Sequence, residues 1–87
     1  MLVVSILRGP NGRWFATSNH MDGEVTSATT SCSALSAVLW EEDNMECATI
    51  RIMPWSLREA AEDLMPPDHI ENIYKAIERN KKWHRHR

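Results

Sequence analysis

Two cysteines, four histidines and two acidic runs are the residues of this 87-residue chain best suited to chemistry. A thiol or hydroxyl nucleophile needs a base held beside it. Cys32 falls in the first turn of a helix described below, where the dipole would favour a thiolate. The bases, however, are scattered: His20 in a turn, His69 near a helix start, His84 and His86 at the end of the chain. Cys32 and Cys47 therefore read as small buried hydrophobes with reduced thiols. A metal needs three or four converging ligands, and His84 and His86, two residues apart, point in different directions on a helix. The acidic runs are Glu41, Glu42, Asp43 and Glu46, then Glu59, Glu62 and Asp63. Carboxylates do acid-base work or hold magnesium only when they converge in a cleft, and both runs fall at helix ends or on exposed faces. The sequence thus predicts no enzyme, no cofactor and no metal.

Charge is distributed unevenly. Residues 1–74 hold four basic and eleven acidic side chains, whereas residues 75–87 hold six basic and one acidic, so a formal net charge of −2 hides a dipolar molecule. The closing segment, KKWHRHR, places Lys81, Lys82, Arg85 and Arg87 around Trp83, with Arg79 just before it. Cations of this kind can contact phosphates while the indole stacks on a base. They also suit a helix C-terminus, whose dipole favours positive charge.

The elements that position these residues follow from patterning. LVVSILRGPNGRWFATS reads as a β-hairpin turning on Pro10, Asn11 and Gly12, where proline presets the turn and glycine accepts a positive φ. Alternation puts Leu2, Val4 and Ile6 on one face of the first strand with Val3 and Leu7 on the other, which makes that strand central. EVTSATTS, after a turn at Asp22-Gly23, supplies a third strand with the low apolar content of an edge. Ser31 or Ser33 then caps a helix carrying Cys32, Leu35, Val38 and Leu39, and ECATIRIM alternates as a fourth strand ended by Pro54. Ser56 with Glu59, and Asp68 with Glu71, suggest capping boxes for a short helix and a last helix, the latter lined by Ile70, Ile73, Tyr74 and Ile77.

The fold class is therefore α+β in a single domain, residues 1–87: an antiparallel three-stranded meander, a helix, a fourth strand and two C-terminal helices, with the helices in a single layer on the sheet. Residues 1–53 form the sheet and first helix, 56–82 the helical pair, and 83–87 a basic tail. A three-stranded meander followed by a helix and a further strand also occurs in ribonuclease-H-like domains, but LVVSIL contains no acid, so the topology carries no activity. No stretch approaches the roughly 20 apolar residues of a membrane span, and LVVSIL lacks the flanks of a signal peptide, so a cytoplasmic protein is expected.

Four tryptophans are a heavy load for one small core. Trp14 and Trp40 suit the interior, while Trp55 and Trp83 are harder to bury and suit contact surfaces. The expected function is a non-enzymatic protein-binding module, an inhibitor or adaptor of the character of phage-encoded inhibitors by analogy of size alone. It would use Glu41, Glu42, Asp43, Glu46 and Trp55 against a larger protein, such as a nucleic-acid-handling complex whose basic groove an acidic face could occupy. A homodimer is compatible with so small a core. The alternative is a nucleic-acid-binding or regulatory protein acting through Arg79, Lys81, Lys82, Trp83, Arg85 and Arg87.

Overall fold

Val3–Arg8 forms strand β1 and Trp14–Ser18 forms β2, antiparallel to it with Arg8 opposite Trp14 and Val4 opposite Ser18. The computed structural model describes residues 1–40 and 49–85, the last five as backbone alone. The turn between β1 and β2 is the expected one. The Gly12 N–H donates to the Gly9 carbonyl at 3.0 Å, the Gly9 N–H to the Arg13 carbonyl at 2.7 Å, and Gly12 lies at φ 86°. Thr26–Ala28 adds a three-residue edge strand, β3, on the outside of β2.

Helix α1 (Ser31–Leu39) follows, capped by Thr30, whose hydroxyl accepts the Ser33 N–H at 3.1 Å. The cap stands one residue before Ser31 and three before Ser33, the two serines expected for it. Strand β4 (Thr49–Met53) then lies parallel to β1, giving the order β3-β2-β1-β4. β1 is central, as its apolar alternation requires.

A 3-10 turn, Trp55–Leu57, leads into helix α2 (Arg58–Leu64). Neither start carries a side-chain cap, so the Ser56–Glu59 capping box is not formed. The direct run from the tight turn into α2 places Leu57, not Ser56, at the helix boundary. Helix α3 (Pro67–Arg85) begins at a proline, with Asp68 in its first turn and the Pro66 carbonyl accepting from the His69 and Ile70 N–H groups. A proline at this position gives up an N–H that has no partner within the helix, and the acid suits the helix dipole. The helix continues to Arg85, so the first residues of the basic tail extend it as backbone.

The class is α+β, but the helices do not form the single layer expected. Leu2, Val4, Ile6 and Ala16 pack with Ala34 and Val38 of α1 on one face. Leu7 and Phe15 pack with Ala61 and Met65, together with Ile70, Ile73 and Ile77 of α3, on the other. The reason lies in β1: a strand apolar on both faces needs a cover on each. Two covers are available, α1 and the α2–α3 pair. Each fully buried Ile or Phe adds about 1.5–3 kcal/mol relative to exposure, so both helical layers are needed to hold the sheet.

Gly12→Val should lower stability by about 1–3 kcal/mol in urea or thermal unfolding, because a β-branched residue is strained at positive φ. Gly12→Asn, which tolerates that region, should retain most of the stability. An unchanged midpoint for the valine variant would remove the turn from its role in fixing the hairpin.

Candidate functional site

Because β1 and β4 run parallel, both carboxyl ends emerge at the same end of the sheet, beside the β1–β2 turn. There Arg8 closes β1 and Pro54, Trp55 and Ser56 follow β4, leaving a cleft of about 290 Å³ between the turn and the strand exit. The Arg8 guanidinium lies 5.7 Å from the Trp14 ring centroid, and its Nε donates to the Gly12 carbonyl at 3.1 Å. Arg58 lies 5.0 Å from the Trp55 ring centroid and donates to the Trp55 carbonyl at 3.4 Å. Arg13, next along the hairpin, donates to both the hydroxyl and the carbonyl of Ser27. Arg79 borders a hollow beside that same Ser27. Asn11 in the turn donates to Asn80 at 2.9 Å, which fixes the segment of α3 preceding the tail at this end. Four arginines from three separate parts of the sequence are thus gathered at one end of the fold.

Among the described residues, Arg8, Arg13 and Arg58 form no ion pair with a carboxylate; Lys75 pairs with Glu71, exposed at mid-helix. Glu62, one helical turn beyond Arg58 on α2, accepts a hydrogen bond from the Tyr74 hydroxyl, on which the charge of Arg58 also acts. Burial, and then that bond, push the Tyr74 phenol up to about 12. Asp22, Glu24 and Asp68 lie toward the opposite end, in the β2–β3 connection and at the start of α3.

A second surface is the outer edge of β4. Ile50 and Ile52 pair with Val4 and Ile6 and so point to the α1 side of the sheet. They remain 39% and 46% exposed, because α1 packs over β3, β2 and β1. Arg51 is exposed on the opposite face.

Trp14 packs half-buried against the α1-side core, as expected, but two other tryptophans depart from the expectation drawn from sequence. Trp40, at the C-terminal cap of α1, is 86% exposed. Trp55 is half-buried, packed on the α3-side core and edge-on to Tyr74 at 6.3 Å between centroids. A helix-spaced ring is not buried where its helix has run past the sheet. Cys32 is exposed, not buried, since it stands in the first turn of α1, away from the face of Ala34 and Val38. Glu41, Glu42, Asp43, Glu46 and Cys47 lie outside the described residues, as does Arg87. Lys81, Lys82, Trp83 and Arg85 are placed as helix backbone only, and Arg79 is exposed.

No family model, curated protein or solved structure matches this chain. No helix among the described residues is long and apolar enough to cross a membrane, and none of their His, Cys, Asp and Glu side chains group in threes to hold a metal ion.

The contact that sequence reasoning missed is buried. Ser5 Oγ and His69 Nδ1 are 2.8 Å apart, joining β1 to α3 across the second core. Both residues are buried, Ser5 completely, so the pair is closed to a substrate and does not constitute a nucleophile with its base. His69 also borders a cleft of about 340 Å³ with Ser18, Asn19, Asp22, Asp68 and Asn72. Burial lowers the His69 pKa below its ordinary 6.5, opposed by the charge of Asp68.

The sign of the pH effect follows directly. The unfolded chain takes up the histidine proton first as pH falls, so the fold loses stability from about pH 6.5 downward until His69 itself titrates. Thermal midpoints should be flat from pH 8 to 7 and drop below 6.5, and His69→Phe should remove that part of the drop while lowering the midpoint at pH 8. A wild-type profile that is flat from pH 8 to 5.5 would contradict the buried neutral imidazole.

Proposed function

We propose that this chain is a small non-enzymatic protein-binding module, an inhibitor or adaptor that takes up an extended, basic segment of a larger protein along the edge of β4, which pairs with no other described strand on its outer side. The observation that carries the reading is a strand edge bearing two exposed isoleucines, Ile50 and Ile52, on one face. An unpaired edge offers a row of backbone donors and acceptors, and an added strand gains main-chain bonds while alternate side chains select the sequence. The exposed Trp40, on the helix covering the same side of the sheet, supplies a large ring of the kind that anchors interfaces. In sequence, Glu41, Glu42, Asp43 and Glu46 lead from Trp40 toward β4, which favours a basic partner by steering and complementarity.

The reading differs from the sequence-based one in its anchor. Trp55, half-buried and flanked by Arg58 and Tyr74, is a supporting residue of the opposite face, and Ile50, Ile52 and Trp40 take its place.

Selection from a displayed library of random extended peptides tests the proposal without knowledge of the natural partner. Selected peptides should be rich in Lys or Arg, and should shift the β4 backbone amides in a nitrogen–proton correlation spectrum. They should bind at least tenfold more weakly to Ile50→Glu/Ile52→Glu, a change of about 1.4 kcal/mol. Peptides that map to α3, or that bind the double variant unchanged, would overturn it. So would a wild-type homodimer in sedimentation that the double variant dissociates, because the edge would then be occupied by a second copy.

A further inference from the structure

The end of the sheet opposite Asp22, Glu24 and Asp68 is a separate surface with its own chemistry. Open sheets bind ligands in the crevice beyond the carboxyl ends of parallel strands, where neighbouring connections leave in different directions. β1 and β4 share only the parallel carboxyl ends, since β1 turns back through Gly9 and Gly12 into the hairpin strand β2, but β4 leaves through Pro54 and Trp55 toward α2, so the two exits still diverge. The cleft between the two exits, about 290 Å³, falls just below the roughly 300–1,000 Å³ typical of ligand pockets. Arg8 and Trp55 form its walls, and Ser56, which makes no cap, lines it with a hydroxyl.

We propose that this cleft is a binding site for single-stranded nucleic acid, with Arg8 and Arg58 taking phosphates and their indole-backed guanidinium planes receiving unstacked bases. Three observations carry the assignment. Each guanidinium lies close to a tryptophan ring, Arg8 by Trp14 and Arg58 by Trp55, and such a pair presents a flat cationic surface on which a base can stack. Neither guanidinium forms an ion pair with a described carboxylate, Glu62 near Arg58 being held by Tyr74, and each gives one hydrogen bond to a backbone carbonyl, leaving donors for a phosphate. The Asn11–Asn80 bond sets α3 against the same turn, so Arg79 extends the basic surface around the hairpin. A strand could therefore cross the end of the sheet from the Arg58 side to the Arg79 side. Glu62, which shares the Tyr74 hydroxyl with Arg58, is the acid that opposes a phosphate here, with Glu59 beside Arg58 in sequence.

This site is distinct from a tail acting alone, because its central residues come from the hairpin and from the start of α2. It is also distinct from duplex recognition, since a base reaches a stacking surface of this kind only when unpaired.

Fluorescence anisotropy of labelled 12-nucleotide oligo-dT and oligo-U, single-stranded and in duplex with their complements, tests the proposal on the full 87-residue chain at low and physiological salt. Single strands should bind more tightly than duplexes, with the DNA and RNA arms reporting which sugar is preferred. Arg8→Gln/Arg58→Gln keeps most of the side-chain volume and should weaken binding at least tenfold. It should also flatten the logarithmic salt dependence by about 1.4, at roughly 0.7 per phosphate contact. Lys75→Gln, which removes a mid-helix charge already paired with Glu71, should bind within twofold of wild type. Thermal midpoints within a few degrees of wild type confirm that the variants are folded, and if the double variant is not, each single Arg→Gln variant takes its place with a threefold or greater loss expected. Absence of single-strand binding at low salt, preference for the duplex, preference for a phosphoserine peptide of equal charge, or unchanged affinity on removing both guanidinium groups would each overturn the proposal, the last by leaving the tail as the site.

Discussion

Burial of β1 on both faces is the constraint from which the rest of the structure follows. Ser5, Ile6 and Leu7 are fully buried in succession, so neither face of this strand can be left to water. The hairpin supplies β2 as one neighbour, and β4 completes the other side in parallel. Helices must then lie above and below, which divides the apolar residues into two cores around one sheet. Parallel pairing of β1 with β4 in turn brings their carboxyl ends together and creates the cleft. The location of the arginines is thus a consequence of how the core closes.

Local patterning made part of this visible in advance. Pro10, Asn11 and Gly12 specify a turn by their own backbone preferences, and alternation marked β1 as central. Both signals concern residues within a few positions of one another. Alternation also marked ECATIRIM as a strand, but it gave no information on whether a helix would reach far enough to cover Ile50 and Ile52. The same limit explains Trp40: its helical spacing implied burial, yet the helix ends where no sheet lies beneath the ring. Capping residues were recognised by type but displaced, Thr30 serving in place of Ser31 or Ser33, because several hydroxyls in succession offer nearly equivalent caps.

Contacts distant in sequence were the least legible. Arg8 and Arg58 are ordinary exposed cations in the linear chain, and the charge imbalance drew attention to residues 75–87. The topology instead adds Arg8, Arg13 and Arg58 to the end at which α3 finishes, enlarging a basic segment into a basic end. Ser5 and His69, 64 positions apart, belong to no repeat, and their pairing depends on how α3 docks across β1. The two proposed surfaces share β4 but use different parts of it, one its lateral edge and the other its exit. An occupant of the edge would run along the strand, whereas one in the cleft would cross the end of the sheet.

The Ser5–His69 contact has a further effect on uniqueness. Side chains alternate in direction along a strand, so sliding β1 by one position would present Val4 or Ile6 to the imidazole and turn the hydroxyl toward α1. Both polar groups would then be enclosed without a partner, at a cost of about 1–3 kcal/mol each. Apolar residues on both faces of β1 would otherwise tolerate such a slip, because oil packs against oil in either alignment. One hydroxyl and one imidazole thus act as a key in a greasy lock, giving a strand of nearly interchangeable side chains one alignment that fits.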